Sequence, residues 1–144
     1  MQSPFANLSP VVKNLLIINI LCFLPALYFS NGFATGVSDP VGAKFGVYYF
    51  ASPLFKPWQP ITYMFMHGGF EHIIFNMFAL YSFGSIVEYT MGSQRFLAFY
   101  FICGIGALVL QMLVQAIEIH ALIGSFTVPF DYVFHDAAIF QKLN

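Results

Sequence analysis

The sequence predicts an all-α membrane protein, a bundle of three transmembrane helices with a structured loop between the first two. The first observation is composition: of the 144 residues, 59% are hydrophobic and 8% are charged, whereas about a quarter of the residues in a soluble domain are charged. The second is the spacing of the charges, which leaves uncharged runs long enough for a helix to cross about 30 Å of hydrocarbon. A chain of this length forms at most one domain.

The first apolar run lies between Lys13 and Asp39 and contains 25 uncharged residues, more than the roughly 20 that a membrane helix needs. A secretory signal is the alternative interpretation, since a lysine precedes the apolar stretch and small residues follow it. Pro25 within the stretch and the lack of an A-x-A-like cleavage site favour a membrane helix that is retained.

The next two runs predict a helical hairpin. Arg95 and Glu118 enclose 22 uncharged residues, whereas Glu71 and Glu88 enclose only 16. The shorter run makes about 24 Å of helix, so it spans only if both glutamates lie near the membrane interfaces. The connection YTMGSQR is a tight turn, which makes the two helices antiparallel, and small residues on both allow close approach. The three helices are expected near 12–32, 70–90 and 95–117.

Two segments outside the helices differ in character. Residues 33–66 are aromatic and apolar, but three prolines between residues 53 and 60 exclude one continuous helix. Trp58 and the neighbouring tyrosines suit the headgroup level, so we expect a membrane-associated, structured loop. Residues 118–144 contain no uncharged run longer than 12 residues, which is too short to span, and are expected to lie outside the membrane.

Charge and cysteine content also bear on the kinds of partner that the chain could bind. The net charge of -1 gives no indication of nucleic-acid binding. Cys22 and Cys103 both fall in predicted helices, where a free cysteine acts as a small apolar residue. The residues suggest no cofactor. The composition therefore places the chain in the lipid bilayer.

The most informative polar residues lie in HGGFEHIIFN, at residues 67–76. His72 and Asn76 are four residues apart, so on a helix they share one face. Polar side chains within a membrane helix mark a functional site by default, but they also form interhelical hydrogen bonds worth about 1 kcal/mol. Spacing alone leaves both interpretations open. His67 lies about 140° from His72 around a helix of 3.6 residues per turn, so it shares the region but not the face.

A metal site is disfavoured by the order of the candidate ligands. His67, Glu71 and His72 form H-x-x-x-E-H, whereas the zinc-protease helix needs H-E-x-x-H to turn both histidines to one side. His120 and His135 could add ligands from the C-terminal segment, but we interpret them as solvated loop side chains. No metal is expected.

Glu88 ends the second predicted helix. A carboxylate at a helix C-terminus opposes the helix dipole, so we expect a cationic or backbone donor beside it. Arg95, across the tight turn, is the expected partner. Such a pair would be a structural clamp and not a catalytic acid.

Together these residues resemble the rhomboid intramembrane serine proteases. The matching features are Trp58, the array H-x4-H-x3-N that begins nine residues after it at residues 67–76, and VEYTMGSQRF at residues 87–96, which is similar to the family's V-E-x-x-x-G-S turn. A pattern of several parts at fixed spacing is more specific than any single motif. The resemblance covers roughly residues 10–117.

The resemblance implies a bundle of six or more helices that cleaves transmembrane proteins within or near the bilayer. It places His72 and Asn76 in the oxyanion hole, which stabilises the negative charge of the tetrahedral intermediate. It gives His67, Trp58 and Glu88 supporting positions. No cofactor and no metal are implied, and the partners are transmembrane protein substrates and the bilayer.

The chain departs from the family pattern in its catalytic residues. The family's nucleophile is a serine in G-x-S-G on the fourth helix, and its base is a histidine on the sixth. No G-x-S-G occurs in this sequence. Ser125 is the only substitute, but Phe126 stands where the motif needs glycine and no positioned base is evident. Gln59 replaces the arginine that follows the tryptophan in the family.

We therefore expect residues 1–117 to be the N-terminal part of a rhomboid transmembrane domain and residues 118–144 to be an extramembrane loop that leads to a missing fourth helix. On this interpretation the chain is a multi-pass protein of a plasma or inner membrane, contains no catalytic nucleophile or base, and is inactive by itself. A non-catalytic rhomboid-like protein that binds client transmembrane helices is the alternative. A small transporter or structural helix protein is a third interpretation.

Overall fold

The computed structural model of the chain describes residues 8–29 and 40–130, and the regular elements in this part are all helical. The α-helices are α1 (Pro10–Phe29), α2 (Pro40–Phe45), α3 (Gln59–Thr62), α4 (Phe70–Ala79), α5 (Ser85–Met91) and α6 (Ser93–Ile123). A 3-10 turn, Tyr63–Phe65, follows α3, and a π-helical turn, Leu80–Gly84, joins α4 to α5. The predicted all-α class is confirmed.

Three helices in the described part are long and apolar enough to cross a membrane. They are α1, the continuous helix Phe70–Met91, which we call the middle helix, and α6. All three predicted membrane helices are therefore present. The first begins two residues earlier than expected, at Pro10, because proline fits the first helical position, where its missing N–H has no partner to lose. Residues 30–32, also predicted in this helix, lie outside the described residues.

The third membrane helix is longer than predicted. Residues 118–123, which we assigned to an extramembrane loop, are the last residues of α6. The prediction was wrong there because a charge marks the edge of the hydrocarbon and does not end a helix. The helix ends instead at Gly124, whose φ of 69° lies in the left-handed region that glycine adopts without a penalty, and whose N–H donates to the His120 carbonyl. The rest of the expected loop, residues 131–144, lies outside the described residues.

At one end of the bundle, α1 packs closely on the middle helix. A Cβ atom added to Gly84 would lie 2.8 Å from Cγ2 of Val12, which is closer than two carbon atoms pack. Val12 is fully buried in a cluster with Leu15, Leu16 and Phe96. The glycine in the π-helical turn therefore permits the close approach, as small residues do between membrane helices.

At the opposite end, the described part of the first loop packs against the end of α6. Tyr48, Tyr49, Ile119 and Val128 form a buried cluster. The Tyr49 hydroxyl donates to the Phe126 carbonyl at 3.1 Å. The described part of the loop, residues 40–66, is therefore structured, as predicted.

The loop then enters the bundle. The Tyr63 hydroxyl donates to the carbonyl of Gly104, about midway along the part of α6 that precedes Ile119. The side chain of Met64 fills the space beside Gly104 that a Cβ would need. Irregular backbone at this depth is tolerated where protein covers it, and the turn forms one wall of the cavity described next.

Candidate functional site

A cavity of about 530 Å³ lies between α1, the middle helix, α6 and the turn at Tyr63–Phe65. Its lining includes three of the residues predicted for the site, His67, His72 and Asn76. The structure therefore brings the two histidines and the asparagine to one place. Most of the remaining wall is apolar, with Asn19, Tyr63 and Tyr100 as polar exceptions.

His72 and Asn76 lie on the first two turns of α4, which begins at Phe70. Residues four apart on a helix have Cβ atoms about 5–6 Å apart, so both side chains reach the same region of the cavity. Both are exposed. Within residues 8–29 and 40–130, neither side chain has a hydrogen-bond partner, and the ring contact of His72 is with His67. Their N–H groups are therefore available to a ligand.

His67 supports the ring of His72 from the loop. The two imidazole centroids are 5.3 Å apart and the rings meet edge to face at 66°. Nδ1 of His67 lies 3.3 Å from the Phe65 carbonyl, which only accepts, so the neutral ring carries its proton on Nδ1.

The charge of His67 follows from its surroundings. Burial lowers the pKa of the imidazole below its ordinary value, and repulsion from the His72 ring lowers it further, against a smaller opposite effect of the Phe65 carbonyl. Desolvation disfavours the charged form of a histidine. His67 is therefore neutral at pH 7.

The arrangement suits the stabilisation of an oxyanion. An imidazole N–H and an amide N–H one helical turn apart can both donate to one oxygen atom that gains negative charge during a reaction. Each such donor is worth about 3 to 4 kcal/mol of transition-state stabilisation in acyl-transfer enzymes. The positive end of the α4 dipole acts in the same direction.

Trp58 does not line this cavity. Its indole N–H donates to the Lys44 carbonyl at 3.3 Å, and 47% of the side chain is exposed. Its neighbour Gln59 stands where the family has an arginine and is buried, with its Oε1 accepting from the N–H groups of Lys56 and Tyr48. Both residues organise the first loop and not the cavity itself.

Glu88 lies at the other end of the middle helix, where it caps α1. Its carboxylate is 2% exposed and accepts from the N–H groups of Val11 and Val12, at 3.2 and 2.9 Å, and from the Ser93 hydroxyl at 2.6 Å. The expectation of a backbone donor is correct, and the expectation of Arg95 is wrong, since the carboxylate binds Val11, Val12 and Ser93 and forms no ion pair with Arg95 among the described residues. The first N–H groups of a helix attract a carboxylate because they have no partner within the helix.

Asn19 is the site residue that the sequence analysis missed. It is 1% exposed and lines the same cavity. Its Nδ2 donates to the Leu15 carbonyl at 2.7 Å, but its Oδ1 has no hydrogen-bond partner among the described residues. The signal was present, because an asparagine within the apolar stretch LLIINILCF is a polar residue in a membrane helix.

Ser125 lies far from the cavity. About 25 Å of helix separates Ala107, which lines the cavity, from Gly124. The Ser125 hydroxyl lies 3.1 Å from that of Thr127 and accepts from the Thr127 N–H at 3.2 Å. The nearest histidine in the chain, His120, is stacked on Phe126 with the ring centroids 4.3 Å apart. Ser125 is thus part of a turn, and none of the residues from 40 to 130 places a base in contact with its hydroxyl.

Metal ligands do not gather in the part of the chain that the structure describes. Within it, no three side chains of histidine, cysteine, aspartate or glutamate come close enough to hold one ion. His135, considered above as a ligand, lies outside the described residues.

Comparison with protein families gives a match to the rhomboid domain over residues 54–128, just over half of the chain. The matched segment contains Trp58, Glu88 and the array at residues 67–76. Comparisons with curated proteins and with solved structures gave no match. Together with the three apolar helices, the match makes this an integral membrane protein. The chain belongs to the rhomboid family of intramembrane proteases and their relatives.

Proposed function

We propose that this chain supplies the oxyanion hole of a rhomboid-type intramembrane serine endopeptidase. The observation that supports the proposal is the position of His72 and Asn76, which line one cavity with exposed side chains and no hydrogen-bond partner among the described residues. Side chains that only join helices of this bundle would already be paired. These two are placed to bind something that the described residues do not provide.

The proposed reaction is hydrolysis of a peptide bond in a transmembrane protein. As a serine oxygen attacks the scissile carbonyl carbon, the carbonyl oxygen becomes an oxyanion. His72 and Asn76 donate N–H groups to that oxygen, and the interaction is stronger in the transition state than with the neutral carbonyl, which accelerates the reaction. His67, which is neutral, holds the His72 ring by its edge-to-face contact.

The serine and its histidine base are proposed to come from helices that pack on the open side of the cavity, since these 144 residues contain no G-x-S-G. Polar side chains that face hydrocarbon are costly, so the exposure of His72 and Asn76 favours such a cover. Binding groups cannot by themselves perform the covalent step. The 144 residues alone are therefore expected to cleave nothing.

The remaining residues are proposed to hold the site in the membrane. Glu88 fixes the entry of α1 to the end of the middle helix, and Trp58 fixes the loop through Lys44. α1, the middle helix and α6 alternate in direction as spans of a multi-pass protein, which we assign to a plasma or inner membrane.

The first test is the coding DNA after the codon for Asn144. We expect an open frame that encodes G-x-S-G and a later histidine. A stop codon directly after Asn144 would instead favour the second candidate function, a non-catalytic rhomboid-like protein that binds client transmembrane helices; the lack of G-x-S-G in these residues is the observation that favours it.

The second test uses the complete gene product in membranes with a model transmembrane substrate. We expect His72→Ala and Asn76→Ala each to lower cleavage by about 10²- to 10³-fold, the loss seen when one oxyanion donor is removed. His120→Ala and Asn14→Ala are matched controls, because neither residue lines the cavity, and both should retain cleavage. Full cleavage by both site variants would remove the oxyanion assignment.

A further inference from the structure

A second cavity, of about 520 Å³, lies on the first loop, away from the proposed oxyanion hole. Lys44 and Lys56 both line it, together with Trp58, Tyr48 and Leu54. Among the described residues that line it there is no carboxylate. The cavity thus combines two cationic side chains with aromatic and aliphatic walls.

The two lysine charges are not neutralised within the described part of the chain. Residues 40–69 contain these two lysines and no aspartate or glutamate. Nζ of Lys44 lies 5.6 Å from the centroid of the Phe45 ring, and neither lysine forms an ion pair with a carboxylate of residues 8–29 or 40–130. The cavity therefore attracts an anion.

The backbone around both lysines is held by two adjacent residues. The Trp58 indole N–H donates to the carbonyl of Lys44 at 3.3 Å. The N–H of Lys56 donates to Oε1 of Gln59 at 3.0 Å, and this glutamine is 1% exposed. The main chain at Lys44 and at Lys56 is thus tied to Trp58 and Gln59, at the start of the short helix α3, before any ligand binds.

The position of the cavity selects the kind of anion. The loop runs from Tyr49, packed on the end of α6, to Tyr63, which bonds to Gly104 within the helix. The cavity therefore lies at the side of the bundle, where the chain passes from the end of α6 towards its middle. Trp58 is 47% exposed there, and an exposed indole beside lysines is typical of the level of lipid headgroups.

We propose that this cavity binds the phosphate of an anionic phospholipid headgroup, with Lys44 and Lys56 as its cationic ligands and Trp58 beside the first carbons of the acyl chains. Lysine and arginine near the membrane surface attract anionic lipids. The site is independent of the oxyanion assignment, because it shares no residue with that cavity.

Trp58 supplies the probe, since it is the only tryptophan in the sequence and lines the cavity. The full chain is placed in phosphatidylcholine vesicles that contain a small fraction of lipid brominated near the headgroup, either phosphatidylglycerol or phosphatidylcholine. We expect brominated phosphatidylglycerol to quench Trp58 fluorescence at least twofold more strongly. Equal quenching by the two lipids would overturn the proposal.

Variants distinguish a specific lipid-binding site from a general attraction between the cationic residues of the chain and an anionic membrane surface. Both lysines are exposed. The double variant with Lys44→Gln and Lys56→Gln should lose the preference for phosphatidylglycerol, whereas the double variant with Lys44→Arg and Lys56→Arg should retain it. Lys13→Gln, at the opposite end of the bundle, is the matched control and should change nothing. A preference that survives in the double glutamine variant, with helicity unchanged by circular dichroism, would overturn the proposal.

A free phosphate ligand is distinguished in the same assay. Inorganic phosphate at millimolar concentration should leave the preference for phosphatidylglycerol intact, because the acyl chains hold the lipid at the loop. Loss of the preference on adding phosphate would overturn the assignment to a lipid.

Discussion

The polar side chains at the two ends of the middle helix differ in burial and in hydrogen bonding. At the C-terminal end the carboxylate of Glu88 is buried and accepts three hydrogen bonds. Towards the N-terminal end His72 and Asn76 are exposed and have no hydrogen-bond partner in the described residues. A polar group in an apolar setting is costly unless it is paired. The paired end therefore holds the bundle together, and the unpaired end is where a substrate or a further helix is expected to bind.

The largest change in stability is expected at the paired end. Glu88→Ala removes the common acceptor of two main-chain N–H groups and the Ser93 hydroxyl. Hydrogen bonds to a charged group contribute about 1.5–3 kcal/mol each and are not additive, so we expect the free energy of unfolding to fall by about 3 kcal/mol. Denaturation in mixed micelles, followed by circular dichroism, measures it. Glu71→Ala, at an exposed position, is the control, and equal losses in the two variants would contradict the capping role.

A smaller loss is expected at the helix contact beside Glu88. Gly84→Ala places a methyl group 2.8 Å from Cγ2 of Val12, and overpacking of this kind costs about 1–3 kcal/mol. Gly106→Ala is a matched control, since nothing lies within 4 Å of the added atom. The same unfolding assay should show a loss at Gly84 and none at Gly106, and a second change, Val12→Ala, should recover part of the loss. Equal stability of Gly84→Ala and Gly106→Ala would show that α1 does not pack closely on Gly84.

A substitution in the cavity that contains His72 and Asn76 should change stability in the opposite direction. Asn19→Leu replaces a buried side chain whose Oδ1 has no partner among the described residues with an apolar one of similar size. Because an unsatisfied acceptor costs about 1–3 kcal/mol, we expect the free energy of unfolding of the 144-residue chain to stay constant or to rise by about 1 kcal/mol. In the complete gene product the same change should lower cleavage. A stability loss as large as that of Glu88→Ala would show that Asn19 already has its partner.

The smallest effect is a pH dependence from His67. Its folded-state pKa is lowered, chiefly by burial, so below pH 6.5 the unfolded chain binds the proton more readily than the folded one. Stability from this residue is therefore complete above the unfolded pKa and declines as the pH falls below it. The loss of unfolding free energy between pH 7.5 and 5.5 should be smaller in His67→Gln than in the wild type. An identical pH dependence would contradict a partly buried, neutral His67.

The sequence predicted the apolar helices well because their signal is local. Charge spacing located α1, the middle helix and α6 to within a few residues at most ends. It failed at the end of α6, where the stop is the conformation of Gly124 and not a charge. The π-helical turn at Leu80–Gly84, on which Val12 of α1 packs at Gly84, was not predicted either.

The site was predictable only in part for the same reason. His72 and Asn76 stand out because their spacing places both on one face of a helix. The hydrogen-bond partner of Glu88 could not be found from residue spacing, because Val12 is 76 residues away in the chain. Spacing pointed instead to Arg95, a cation close to Glu88 in the sequence. Asn19 was overlooked because a single asparagine becomes informative only when its surroundings are known to leave Oδ1 unpaired.

The most direct test of the central claim is the steady-state kinetics of Asn76→Ala in the complete gene product. An oxyanion donor acts in the transition state and little in the ground state, so we expect kcat to fall about 10²- to 10³-fold while KM changes little. Asn14→Ala, measured beside it, should leave both constants unchanged. A rise in KM with kcat retained would contradict the account, because it would assign Asn76 to substrate binding and not to the stabilisation of the oxyanion.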